Sequence, residues 1–297
     1  MAVPLLCVAS LHVSKKPLLG LTHLMGRDNG CSLERALDSE AQNERQNRIF
    51  YDIQRSARVE ADKKANLVKW TTSWGVFWAP PGTSVPFLIG EQKTRVYGDG
   101  PRRVQKGDVV LDCGANIGVF TKEALDAGAA KVVSIEPSER NVECLRRNFV
   151  REIEQGRVIV YPKGVWNQET VLEFNVYDNS ALDSLILQQR AETPQKPAKV
   201  KVPVTTIDRI VAELGLEKVD FIKMDIEGAE REALKGGEAT IRKMRPRMSL
   251  ATENLEDDPR IVPQVVAGFG LNYKQACGPC EAKGMFTLSP EILYFYQ

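Results

Sequence analysis

The chain has 297 residues, 40 Lys plus Arg against 39 Asp plus Glu, and a formal net charge of +1. That length buries a proper core in one large domain or two small ones, and the balanced charge gives no electrostatic ground for nucleic acid or an anionic membrane as partner. The six cysteines, at 7, 31, 113, 144, 277 and 280, show no disulfide-framework spacing, the usage of a reducing, cytoplasmic compartment.

In chain order, "MAVPLLCVASLHVSKK" places its charges after its apolar run, the wrong order for a secretory signal, and the run is too short to span a bilayer. Residues 1–40 therefore read as a poorly ordered extension. An amphipathic helix is expected from Ser39 to Val68, followed by a hairpin in "KWTTSWGVFWAPPGTSVPFLIGEQKTRVYG", broken by Pro80, Pro81 and Gly82. Together residues 41–100 form a cap, and the aromatics Trp70 to Trp78 read as core under it.

From residue 101 to 297 the pattern is one domain of alternating strands and helices. "DVVLDC", "KVVSIEP", "RVIVYPKGVW", "KVDFIKMDI" and "PRMSLATEN" are short apolar strands, and the helices lie in "GVFTKEALDAGA", "SERNVECLRRNFVRE", Ile207 to Leu214, "AEREALKGGEATIRKM" and "DPRIVPQVVAGFG". Such alternation gives an α/β fold with a doubly wound, mostly parallel sheet covered on both faces. "TVLEFNVYD" and "AKVKVPVTTID" interrupt it as an inserted β-hairpin around the polar Asp178 to Pro197 loop, and two late strands fall near "NYKQAC" and "EILYFY".

In an open α/β sheet, ligands lie beyond the carboxyl ends of the strands. "VVLDCGANIGVFT" ends a strand with Asp112 and sets Gly114, Asn116 and Gly118 before a helix, whose N-terminal N–H groups favour an anionic group. Turn chemistry alone also accounts for the two glycines. The second acid, Glu136, ends the next strand 24 residues on, placed to hold both hydroxyls of a ribose. Asn116 in the crowded middle of the loop suits an amino-acid moiety better than the pyrophosphate of NAD.

"VVLDCGANIGVFT", "SIEPSERNVECLRRN", "VDFIKMDIEGAEREALKGG" and the closing "EILYFYQ" together resemble the FkbM family of S-adenosylmethionine-dependent O-methyltransferases, over about Tyr97 to Gln297. The resemblance implies the seven-stranded, Rossmann-like class I methyltransferase fold and methylation of hydroxyls on sugars, polyketides and other small molecules. It implies cofactor contacts at Asp112, Gly114, Asn116, Gly118 and Glu136, adenine neighbours at Lys163, Gly164 and Val165, and Asp225 and Glu227 facing the transferred methyl. With no histidine in the body of the chain, since His12 and His23 both lie in its first tenth, Asp225 is the first choice of base and Glu253 the second. Asp225, Glu253 and Asn254 form a possible oxygen set for Mg²⁺, although many family members carry a histidine where this chain has Asn254.

Two other classes stay open at this level: an NAD-dependent oxidoreductase, and a domain that binds S-adenosylmethionine without catalysis. "CGPC", Cys277 to Cys280, reads as a turn between late strands, because a redox Cys-x-x-Cys needs its first cysteine at a helix N-terminus.

Overall fold

The computed structural model describes residues 20–22, 24–26, 31–177, 183–185, 197–283 and 287–297. His12, His23, Cys7 and most of the 178–197 loop lie outside the described residues.

The cap starts with helix α1 (Leu33–Ser56), whose N-cap Ser32 side chain accepts from the Arg35 amide. It is followed by β1 (Arg58–Asp62), β2 (Leu67–Thr72) and β3 (Gly75–Ala79), an antiparallel sheet in the order β1-β2-β3, and then by α2 (Val85–Lys93). The helix expected over Ser39–Val68 thus starts earlier and stops at Ser56. The Asp62 carboxylate accepts from the Lys64 and Ala65 amides, and Asn66 takes φ +51°, so the chain reverses into β2 where a helix was expected. The hairpin expected in the aromatic stretch is β2-β3, but its turn lies between Thr72 and Gly75. Pro80, Pro81 and Gly82 lead instead into α2.

The main domain contains β4 (Val109–Cys113), α3 (Val119–Asp126), β5 (Lys131–Ile135), α4 (Glu139–Asn148), α5 (Val150–Glu154) and β6 (Val158–Tyr161). Next come β7 (Gly164–Val165), β8 (Thr170–Val176), β9 (Ala198–Thr205), α6 (Ile207–Glu213), β10 (Phe221–Met224), α7 (Glu230–Lys235) and α8 (Glu238–Met244). β11 (Arg247–Ala251), α9 (Asp258–Gly268), β12 (Lys274–Cys277), β13 (Cys280–Lys283), β14 (Thr287–Pro290) and β15 (Ile292–Tyr296) complete it. One helix was expected in "AEREALKGGEATIRKM" and two are found. The break falls at Gly236 and Gly237, and a Cβ on Gly236 would collide with the Trp166 carbonyl, so the chain there lies close against the loop after β7.

Seven strands form the central sheet in the order β12-β15-β11-β10-β4-β5-β6, with β11, β10, β4, β5 and β6 parallel and β15 antiparallel to both its neighbours. β8 and β9 pair as the expected inserted hairpin, and β7 joins them in a separate small sheet.

Both faces of the central sheet are buried, as parallel strands require. One face carries Leu111, Val133, Ile222, Leu250 and Leu293 under α6, α7, α8 and α9. The other carries Val110, Val132, Phe221, Ala251 and Ile292 under Phe120 of α3 and Val96 and Tyr97 of the cap. A polar row crosses this second face. Ser134, Asp112, Lys223, Ser249 and Tyr294 are register partners on five successive strands, one in each apolar run. The aromatics behave as core: Phe77 is buried, and Trp70, Trp74 and Trp78 pack around it against Ile117, Val119 and Cys144.

Cys31 and Cys280 form a disulfide that ties the start of α1 to β13. This corrects the reading of the cysteines as lacking a disulfide. Gly278 and Pro279 do link two strands, but the second cysteine of "CGPC" is bonded across 249 residues, a pairing that spacing cannot reveal.

Candidate active site

The sheet order reverses at β4, with β5 on one side and β10 on the other, so the carboxyl ends of β4 and β10 flank the switch point where such sheets bind ligands. Gly114 follows β4 with φ +78°. A Cβ there would collide with the Asp225 carbonyl, so the glycine loop and the end of β10 are in direct contact. Gly118 (φ +90°) makes a packing contact: its missing side chain admits the Phe149 ring, which sets α3 close to the turn after α4.

Asn116 takes φ +50°; its amide donates to Glu136 Oε2 (2.9 Å), and its own side chain accepts from the Ile117 amide (2.7 Å). The other Glu136 oxygen accepts from the Ser138 amide (2.9 Å). Glu136 is buried, and burial raises its proton affinity although these donors oppose it. Asn141 Nδ2 also donates to that second oxygen (3.4 Å), so the loop after β4 and the acid after β5 are one hydrogen-bonded unit, and the carboxylate retains one lone pair for a further donor.

Asp112 lies within β4, beneath the glycine loop. It is fully buried, accepts from Thr121 Oγ1 (2.7 Å) and stands 3.5 Å from Lys223 Nζ, its register partner on β10. Lys223 donates to the Gly114 carbonyl (2.8 Å) and sits over the Tyr97 and Phe120 rings. Burial works against the Lys223 charge, but Asp112 and Asp225 outweigh it, and its pKa is raised. Asp112 thus acts through this pair to fix the carbonyl of the glycine loop.

Asp225 accepts a 2.5 Å hydrogen bond from the Tyr97 hydroxyl. Tyr97 is buried, and desolvation, then the Asp225 charge, push its pKa well up, which keeps it the donor. Glu91 of α2, partly buried, is pushed up to about 8 by desolvation and then by Asp225. Glu227 stands at φ +57° with its carbonyl accepting from Ser184 Oγ (2.8 Å), and Glu253 is exposed after β11, close enough for its charge to reach Tyr97. Gly164 and Val165 are buried as β7, while the Lys163 ammonium sits over the Tyr161 ring. Among the described residues no group of three or more His, Cys, Asp or Glu is arranged to hold a metal, and the Mg²⁺ reading gains no support.

Tyr97, Lys223 and Glu91 are the site residues that sequence reasoning missed. Lys223 had a signal, a lysine inside the apolar "FIKM" run, since a lysine in a doubly covered strand needs a buried partner. Tyr97 and Glu91 had none, because their partners are more than a hundred residues away.

The model of the methyltransferase FkbM domain matches residues 112–267, more than half of the chain. The chain belongs to the FkbM methyltransferase family. Among curated FkbM relatives, it is 27% identical over 159 residues to the 31-O-demethyl-FK506 methyltransferase FkbM of Streptomyces tacrolimicus, covering 46% of this chain and 61% of that one. It is 25% identical over 153 residues to methyltransferase sdnD of Sordaria araneosa, covering 43% of this chain and 59% of that one. The match thus spans about three-fifths of these two relatives. A crystal structure of methyltransferase FkbM from Methylobacillus flagellatus KT aligns over 88% of this chain and 62% of its own, at 18% identity and a TM-score of 0.47.

Proposed function

We propose that this protein is an S-adenosylmethionine-dependent O-methyltransferase whose acceptor is a hydroxyl on a small molecule of the sugar or polyketide type. The observation that carries the reading is the contact of Gly114 with Asp225 at the switch point, with Glu136 hydrogen-bonded to the same loop through Asn116. Family membership supplies the reaction class. The residues fit a nucleoside with an amino-acid arm. Glu136 has acceptor capacity left, and Asn254 Nδ2, beside Gly228, is buried with no hydrogen bond among the described residues.

When bound, S-adenosylmethionine supplies a methyl group made electrophilic by its cationic sulfur. The chain's part is alignment, exclusion of water and handling of one proton. An acceptor hydroxyl loses its proton as its oxygen becomes an ether, and Asp225 takes it. Tyr97 holds that carboxylate through Oδ2. Glu136 holds the ribose, with Lys163, Gly164 and Val165 beside the adenine. Glu227 and Glu253 flank the acceptor side. The cysteine usage that suggested a cytoplasmic setting now includes the Cys31–Cys280 bond, and among the described residues no helix is long and apolar enough to cross a membrane.

Titration calorimetry with S-adenosylhomocysteine, NAD and a Glu136→Ala variant tests this. Micromolar binding of the nucleoside alone, lost in the variant, is expected, followed by transfer of labelled methyl to hydroxylated small molecules. Binding of NAD in preference to S-adenosylhomocysteine sinks the reading.

A further inference from the structure

The short segment Asp183–Leu185, part of the insertion between β8 and β9, lies between the elements that make up the candidate site. Ser184 exchanges both backbone hydrogen bonds with Asn175 of β8 (2.8 and 3.0 Å), and its hydroxyl donates to the Glu227 carbonyl after β10. Leu185 packs against Phe174, Val202 and Val204 of the small sheet. Its Cδ1 is 3.5 Å from the point where a Cβ on Gly164 would stand, and Pro137, directly after Glu136, comes within 3.7 Å of the same point. The segment is therefore pinned between the ends of β5, β7 and β10, the strands that carry Glu136, Gly164 and Asp225 at or just after their ends.

Asp183 is the polar member of this segment, and its side chain is only 3% exposed. Its Oδ1 accepts from the Tyr177 amide (2.8 Å). Its Oδ2 is buried with no hydrogen-bond partner among the described residues, and Arg140 Nη2 stands 3.7 Å away while donating to the Tyr177 carbonyl. Glu136 is close enough that its charge disfavours ionisation of Asp183, after burial itself, whereas the Tyr177 amide, Arg140 and the Ser138 side chain favour the ionised form. The Arg140 ion pair at 3.7 Å and the Ser138 side chain compensate this carboxylate in part, and a buried carboxylate oxygen short of a close donor is still costly. A donor arriving with a ligand would satisfy it, and the donors expected beside Glu136 are ribose hydroxyls.

We infer that Asp183 is a second binding carboxylate for the ribose of an adenosine-type cofactor, shared with Glu136, and that Leu185 forms a wall against its adenine. The inference rests on the reading of the site as one for S-adenosylmethionine. It makes the insertion part of the cofactor site, so that the nucleoside is held from β5, from β10 and from a segment outside the central sheet.

The test is calorimetric binding of S-adenosylhomocysteine and of its 2′,3′-dideoxy analogue to the full chain and to the Asp183→Asn, Leu185→Ala and Glu136→Ala variants. Asp183→Asn keeps an acceptor for the Tyr177 amide. It is expected to weaken S-adenosylhomocysteine at least tenfold and to leave the dideoxy analogue within twofold, since the lost contact is to hydroxyls the analogue lacks. Leu185→Ala is expected to weaken both nucleosides alike. Unchanged binding of S-adenosylhomocysteine by Asp183→Asn, or equal weakening of both nucleosides by it, overturns the inference. If Glu136→Ala nonetheless abolishes binding, the methyltransferase reading stands without it; failure of the wild-type protein to bind S-adenosylhomocysteine overturns both.

Discussion

The Tyr97 hydroxyl donates to Asp225 across 128 residues of sequence, joining the end of the cap to the acid that follows β10. A hydrogen bond to a charged group stabilises more than a neutral one and fixes direction as well. Tyr97→Phe keeps the ring that packs on Phe120 but removes the donor. Turnover is expected to fall about tenfold, roughly 1.4 kcal/mol of barrier, with affinity for S-adenosylhomocysteine unchanged within twofold. Parallel measurement of methyl transfer and nucleoside binding checks this, and equal losses in both would remove Tyr97 from the chemistry.

Lys223 and Asp112 form a pair that is nearly closed to solvent, with side chains 5% and 0% exposed. Removing one partner leaves the other charge uncompensated, which typically costs about 3–5 kcal/mol. Lys223→Met is therefore expected to destabilise by about that much in denaturant unfolding. The double variant Lys223→Met, Asp112→Asn is expected to recover part of the loss, because the stranded charge is gone.

The parts of this architecture that were legible in the sequence share one physical cause. β4, β5, β10 and β11 are buried on both faces, so each reads as a short apolar run, and the helices between them carry their own periodicity. β1 gave no such signal: four of its five residues are exposed, and "RVEADKK" therefore passed for the charged end of a helix. The acids at 112, 136 and 225 could be read because each ends a strand. What each one touches could not: strand register brings Lys223 to Asp112, the cap brings Tyr97 to Asp225, and the Asn116 and Ser138 amides close on Glu136.

Glu230 is fully buried, accepts from the Ile226 amide (2.8 Å) and is pushed up to about 8 by burial first, with the Asp225 and Asp258 charges adding to it. Its unfolded value is near 4.5. Between those values the folded state holds a proton that the unfolded state has released, so stability falls as pH rises from about 4.5 toward 8 and levels off above. Glu91, also pushed to about 8, contributes with the same sign. Thermal unfolding followed from pH 5 to 9 is expected to show a falling midpoint, with a flatter profile and a higher midpoint at pH 9 in Glu230→Gln. A wild-type profile that rises over this range contradicts the assignment.

The Cys31–Cys280 disulfide closes a loop of 249 residues and holds α1, where Arg35 also pairs with Asp99 at 2.5 Å. A cross-link over so long a loop restricts the unfolded chain strongly, although measured gains are typically about 2–4 kcal/mol. Cys31→Ser, or treatment with a reductant, is expected to lower stability by that amount. Peptide mapping under non-reducing conditions is expected to recover residues 31 and 280 in one linked species. Equal stability of Cys31→Ser and the oxidised wild type would show that α1 is held by its other contacts alone.

Gly114 and Gly156 separate backbone freedom from close approach. Both have positive φ, +78° and +69°, so alanine at either carries a left-handed cost of roughly 1–2 kcal/mol. Nothing stands within 4 Å of a Cβ built on Gly156, whereas one on Gly114 runs into the backbone of Asp225. Gly156→Ala is expected to pay only the conformational cost and to bind S-adenosylhomocysteine as the wild type does. Gly114→Ala must push the glycine loop away from the end of β10, which also displaces the carbonyl that Lys223 holds, so nucleoside binding is expected to be lost. Equal behaviour of the two variants in denaturant unfolding and titration would mean that Gly114 is present for its turn alone and that the contact with Asp225 does not build the site.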